Sequence, residues 1–220
     1  MAIEVDKNSR IQMKTNLRAR AVVLAAAVAA CAAISIASAH EETSADAHMH
    51  HHMMMRDVKT SSVAYNVPSI TVVRADGKST DLKHELDDGR AVVLTFIYTT
   101  CTTICPVISQ TLEQLQDKLG PQIGNVHLVS ISIDPETDTP ARLRDYAVKF
   151  GAGPEWQYYT GTLDASIAAQ KAFNVYREDK MNHNPVVLLR AAPGKPWLRV
   201  DGFATADELL HSYHQLIASN

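Results

Sequence analysis

The 220-residue chain is 46% hydrophobic and 20% charged, the composition of one ordinary globular domain carrying an appendage. Its formal net charge of -3, with both signs interspersed, offers no basic stripe to neutralise phosphates, which argues against a nucleic-acid partner. Of three cysteines, Cys31 lies in an apolar N-terminal run and Cys101 and Cys105 lie four positions apart; a bridge between the latter two would close almost no loop, so the chain is not a disulfide scaffold and these thiols are expected to do chemistry.

In chain order, Lys14, Arg18 and Arg20 precede the apolar stretch from Ala21 to Ala39, which ends in the small residues Ala37-Ser38-Ala39 before polar His40-Glu41-Glu42. This pattern predicts a secretory signal peptide over residues 1–39, with Met13 as an alternative start and cleavage after Ala39. The weaker alternatives are an uncleaved membrane anchor and a lipoprotein box at Val28-Ala29-Ala30-Cys31. All three deliver an exported, periplasmic protein, soluble or tethered, whose only contact with a membrane is such an anchor.

Residues 40–62 lack apolar periodicity and are expected to have no fixed structure without metal. They include His48-Met49-His50-His51-His52-Met53-Met54-Met55, which holds four of the ten histidines and four of the seven methionines, a mixture unlike a purification tag. Imidazole takes Cu(II) or Cu(I) and thioether takes Cu(I), so His48, His50, His51, His52, Met53, Met54 and Met55 are candidate auxiliary copper ligands; the alternative is a solvated linker of accidental composition. A mature N-terminus at His40 would add an amine and an imidazole as a Cu(II) chelate.

The folded domain is expected over residues 63–220. Ser69–Val73 and Lys78–Leu82 flank the turn at Asp76-Gly77 and predict a hairpin. Ala91–Tyr98 is a near-continuous apolar run suited to a strand buried on both faces. Val107, Ile108, Leu112, Leu115 and Leu119 recur at helical spacing before Gly120-Pro121 ends the helix. Strands over 126–133, 156–159, 186–189 and 197–200 then alternate with helices over 140–150, 163–173 and 206–217. The alternation predicts an α/β fold, a central mixed sheet with helices on both faces and an N-terminal β-hairpin extension.

Cys101 and Cys105 thus fall at a strand-to-helix junction. With a helix starting near Thr103 the two sulfurs lie about one turn apart on one face at its N-terminus, where unpaired amides and the dipole favour thiolate. Pro106 fits the first turn, where its missing N–H costs nothing. Three intervening residues, rather than the two usual in thiol-disulfide oxidoreductases, suit a chelate for Cu(I) or zinc.

Tyr98-Thr99-Thr100-Cys101 through Pro106, Ile131-Ser132-Ile133-Asp134-Pro135 and the later His183 resemble the Sco family, also called SenC, over about Val67 to the C-terminus. The resemblance implies a thioredoxin-like fold, copper held by Cys101, Cys105 and His183, and a role in cytochrome c oxidase assembly with the copper-bearing subunit of a terminal oxidase, or another copper protein, as partner. In a thioredoxin-like sheet the loop carrying His183 lies beside the cysteine junction. Thr102-Thr103 replace an acidic residue common between the cysteines in that family, and Asn184-Pro185 replace a hydroxyl residue after the histidine. Pro185 also resembles the proline of oxidoreductase-type thioredoxin folds, which is commonly cis. Asp134 is read as a turn or helix cap, and His84, His127, His211 and His214 as surface or core residues.

The expected function is therefore an exported metallochaperone, not an enzyme in the usual sense, with copper as Cu(I) or Cu(II). The alternatives are a thiol-disulfide reductase, in which Cys101 and Cys105 form the redox-active pair, and a copper buffer or redox sensor.

Overall fold

A computed structural model of the protein describes residues 58–219. The expected signal segment, His40, and the His/Met tract lie outside the described residues.

Eight strands form one sheet in the order β1-β8-β7-β4-β5-β6-β2-β3. They are β1 (Lys59–Val63), β2 (Thr71–Arg74), β3 (Ser79–Asp81), β4 (Ala91–Ile97), β5 (Val126–Ser132), β6 (Trp156–Gly161), β7 (Val186–Arg190) and β8 (Trp197–Asp201). The helices are α1 (Leu82–Leu86), α2 (Ile104–Leu119), α3 (Pro140–Lys149), α4 (Leu163–Ala172) and α5 (Ala206–Ala218). The pairs β4–β5 and β5–β6 are parallel, whereas β7 runs antiparallel to β4, with Thr95 opposite Val187 and Val92 opposite Arg190. The sheet is mixed and the fold thioredoxin-like, with the β2–β3 hairpin as the expected extension.

Every residue of β4 is buried, and its side chains alternate between two apolar layers. Ala91, Val93 and Ile97 pack with Ile108, Leu112 and Leu115 of α2, Leu143 of α3 and Leu209 of α5. Val92, Leu94 and Phe96 pack with Leu82 and Leu86 of α1, Ala169 of α4 and Trp197. A strand covered on both faces has no polar side to show, which is why its sequence reads as a continuous apolar run.

Two elements differ from expectation. Residues 59–62, expected to lack fixed structure, form most of β1, an edge strand paired antiparallel with β8 from Lys59 opposite Asp201 to Val63 opposite Trp197. Its side chains are exposed except the half-buried Val63, so backbone pairing makes this strand and no apolar alternation announces it. The hairpin's second strand stops at Asp81, whose carboxylate accepts from the His84 amide at 3.0 Å and starts α1 as its N-cap. The peptide bonds of the described residues are all trans, that preceding Pro185 included.

Because β7 opposes β4, the C-terminal ends of β4 and β5 and the N-terminal end of β7 share one edge of the sheet, the usual location of sites in such folds. That edge carries Cys101, Asp138 and His183.

Leu112 is fully buried at the centre of the α2 layer and Val107, on the same helix, is 43% exposed. Leu112→Ala should destabilise the reduced domain in urea unfolding by about 2–5 kcal/mol, and Val107→Ala by no more than about 0.5 kcal/mol.

Candidate metal centre

The loop from β4 into α2 is short and tied at both ends. The Ile133 amide donates to the Ile97 carbonyl at 2.9 Å, continuing the β4–β5 ladder, and the Cys101 amide donates to the Tyr98 carbonyl at 3.1 Å. A helix start leaves its first amides without intrahelical partners, and Thr103, at the N-cap of α2, makes no side-chain cap. The Cys101 sulfur takes that place: it accepts from the Cys105 amide at 3.4 Å and lies 3.9 Å from Thr103 Oγ1. Both thiols are free and buried, Cys101 at 7% exposure and Cys105 at 0%.

The same geometry separates the two thiols electrostatically. Burial pushes Cys101 up, but the backbone amides of Cys105 and Thr103 and hydrogen bonds with the Cys105 thiol and the Tyr98 hydroxyl outweigh it, bringing its pKa down to about 7. Burial drives Cys105 far above the ordinary thiol range, and the charges of Cys101 and Asp138 add to the effect. At neutral pH the pair is one part-ionised thiol capped by amides and one neutral thiol in the core.

Asp138, fully buried, supports this loop from β5. Its carboxylate accepts from the Thr99 amide at 3.2 Å, from Thr99 Oγ1 at 2.5 Å and from Ser132 Oγ at 2.6 Å. Ser132 Oγ in turn accepts from the Asp134 amide at 3.0 Å. Asp134 caps the turn after β5, its carbonyl accepting from the amides of Thr137 and Asp138, while its buried carboxylate pairs with Lys180 at 2.6 Å. Sequence reasoning missed Asp138 and Tyr98; Asp138 follows the Asp134-Pro135 motif by three residues, and only the fold shows that its side chain turns back under Thr99.

His183 is buried, 4% exposed, at the end of the short 3-10 turn Lys180–Asn182. Its Nε2 lies 3.0 Å from the Phe96 carbonyl in β4. A carbonyl only accepts, so Nε2 carries the proton and Nδ1 presents a lone pair. Burial lowers the His183 pKa, partly offset by the Phe96 carbonyl and reinforced by Arg177, which keeps the ring neutral at pH 7. The structure thus places Cys101 and Cys105 together and the imidazole in the adjoining loop, but among the described residues no group of three or more His, Cys, Asp or Glu side chains is already gathered as a metal cage.

The remaining histidines of the described residues sit on the surface or in the core. His127, 1% exposed, has Nδ1 3.2 Å from the Glu85 carbonyl at the other end of β5. His84 is exposed on α1, and His211 and His214 pair with Gln215 and Gln122.

Two expectations follow from this geometry. Because the folded pKa of Cys101 lies below the ordinary thiol value, its thiolate forms above about pH 7, and the stabilisation that goes with it is fully present above the ordinary thiol range and lost as pH falls through about 7. Alkylation of the reduced protein followed by mass spectrometry should give a Cys101 rate with its midpoint near pH 7 and a Cys105 rate that stays low beyond pH 9. Asp138→Asn, which puts an amide donor against three donors, should lower stability by about 1–3 kcal/mol in urea unfolding, and a neutral outcome would show that the carboxylate does not hold the loop.

A family model described as SCO1/SenC matches residues 65–218. The SCO1 protein homolog of Bacillus subtilis is 32% identical over 139 residues, covering 60% of this chain and 71% of that protein. The structure of Arabidopsis thaliana ScoI with copper bound superposes with a TM-score of 0.60 at 26% identity, covering 70% of this chain and 99% of that one. That of BsSco, described as a member of the Sco family of cytochrome c oxidase assembly proteins, gives 0.59 at 25% identity over 71% and 95% of the two chains. With the family match running from before β2 to the end of α5, and a fold and thiol junction that agree with it, this chain belongs to the SCO1/SenC family.

Proposed function

We propose that the protein is an exported copper metallochaperone that carries Cu(I) on Cys101, Cys105 and His183 and passes it to the copper-bearing subunit of a terminal oxidase or to another copper protein. The observation that carries this reading is the orientation of His183. A metal-binding imidazole commonly donates its second N–H to a carbonyl or carboxylate, which fixes tautomer and direction; the Phe96 carbonyl accepts from Nε2 here and leaves the Nδ1 lone pair uncommitted to that contact. Soft thiolates with a neutral imidazole suit Cu(I), and the copper bound to Arabidopsis ScoI, a relative of the same fold, supports copper as the ion. On this reading copper draws the His183 loop and the thiol pair into one three-ligand site, and Cys105, neutral in the free protein, gives up its proton to the ion.

In the same reading residues 1–39 export the protein, residues 40–62 collect copper through His48, His50, His51, His52, Met53, Met54 and Met55, and residues 63–220 form the carrier domain. The ion is cargo, taken up and released unchanged.

One observation favours a second reading, thiol-disulfide reduction of a target before its metallation: the pKa asymmetry of the pair. Cys101, near 7, would attack a target disulfide and release one target thiolate; Cys105 would then lose its proton, displace the second target thiolate and leave a Cys101–Cys105 disulfide, which an upstream dithiol must reduce.

Anaerobic Cu(I) titration of the reduced protein separates the two. Cys101→Ser, Cys105→Ser and His183→Ala should each weaken core copper binding by at least roughly tenfold, with His84→Ala without effect. Copper should raise the melting temperature of the reduced wild type by mass action. Deleting residues 40–55 should lower total copper bound and leave the thiolate-to-copper absorption in place. A His183→Ala protein that keeps its copper affinity and still reduces a target disulfide would transfer the assignment to the reductase.

A further inference from the structure

Met181 is 71% exposed and is the only methionine among the described residues. It sits in the 3-10 turn Lys180–Asn182, two positions before His183. The turn is held at both ends: the Met181 amide donates to Asp179 Oδ1 at 2.9 Å, and Lys180 pairs with Asp134 at 2.6 Å while its Nζ lies 5.6 Å from the centre of the Tyr98 ring. This places the thioether against the Tyr98 hydroxyl, which donates to Met181 Sδ at 3.6 Å. The Tyr98 carbonyl, on the same residue, accepts from the Cys101 amide at 3.1 Å, so Tyr98 joins this turn to the thiol loop. The hydrogen of the phenol goes to the thioether, and the same ring stands beside the thiol loop. Packing does not account for the position, since a side chain left mostly in water gains little from burial.

We propose that Met181 is a thioether ligand to Cu(I) at the Cys101–Cys105 pair, the solvent-side donor through which the ion enters and leaves. The inference rests on the reading that the pair takes Cu(I). Thioether sulfur is a soft donor that selects Cu(I), and methionine has three rotatable bonds with which to close the gap once the Tyr98 hydroxyl swings aside. His183, buried on the other side of the same turn, and Met181, exposed, would then approach the ion from the interior and from solvent. The thioether is neutral and the most exposed of the four donors, so an incoming donor from a partner displaces it first and meets a copper ion still held by two thiolates and an imidazole.

The test uses the full chain, reduced and anaerobic, with a chromophoric Cu(I) chelator as competitor. Met181→Leu, which keeps volume and removes the donor, should weaken core Cu(I) binding by roughly tenfold, and Met181→His, which restores a donor, should recover most of it. Both variants should keep the wild-type melting temperature of the apo protein and its Cys101 alkylation rate, which a packing role would change. As a direct readout, a chain carrying Met49→Leu, Met53→Leu, Met54→Leu and Met55→Leu is labelled with selenomethionine and loaded with one equivalent of Cu(I). Selenium X-ray absorption should then show a copper neighbour that disappears when Met181→Leu is added. Unchanged affinity in Met181→Leu, or no copper neighbour at selenium, overturns the inference and leaves the copper reading standing. A wild type with no thiolate-to-copper absorption at all overturns both.

Discussion

A carboxylate with no water around it has to be satisfied by the protein, and in this fold that requirement joins two otherwise separate loops. Asp138, on the β5 side, is fully buried and reaches the Thr99 amide and hydroxyl on the β4 side as well as Ser132. Leaving such a group unpaired costs more than pairing it contributes, so the arrangement is close to all-or-none. Its consequence is a fixed turn at Tyr98 and Thr99, and from that turn the positions of Cys101, of the start of α2 and of the Tyr98 hydroxyl all follow.

The thiol pair inherits its asymmetry from this frame. Cys101 does for α2 what a serine or aspartate usually does at a helix start, and the amides it satisfies stabilise its thiolate. Cys105, one turn further, lies inside the apolar layer with Ile108 and Leu112, where only a neutral thiol is comfortable. A metal ion removes that discomfort by supplying the missing positive charge, whereas a disulfide removes it by removing the charge altogether. The copper-carrier and reductase readings proposed above therefore draw on one electrostatic arrangement, a buried thiol pair of unequal acidity.

The loop before β7 completes the picture from the opposite direction. Antiparallel pairing of β7 with β4 brings residues 180–183 over the strand that leads to the cysteines, so the Phe96 carbonyl can orient His183 while Tyr98 holds Met181. The end of β4 and the residue that follows it thus position a buried imidazole through Phe96 and an exposed thioether through Tyr98. The pairing of Lys180 with Asp134 fastens the loop to the turn after β5, which is the turn that also carries Asp138.

By itself the sequence determined the alternation of strands and helices, the doubly buried β4 and the placement of Cys101 and Cys105 at a strand-to-helix junction, because apolar periodicity and residue spacing along one stretch of chain are local properties. The Sco resemblance added the ligand set as an expectation. Tertiary structure alone decided the rest. The edge strand β1 has no apolar pattern and exists only through its pairing with β8. The tautomer of His183 depends on a carbonyl 87 positions away, and the support of Thr99 by Asp138 and the contact of Tyr98 with Met181 span 39 and 83 positions. No local pattern encodes such partners, since they are chosen by how parallel and antiparallel strands are ordered in the sheet, and that order is set by the packing of the whole domain.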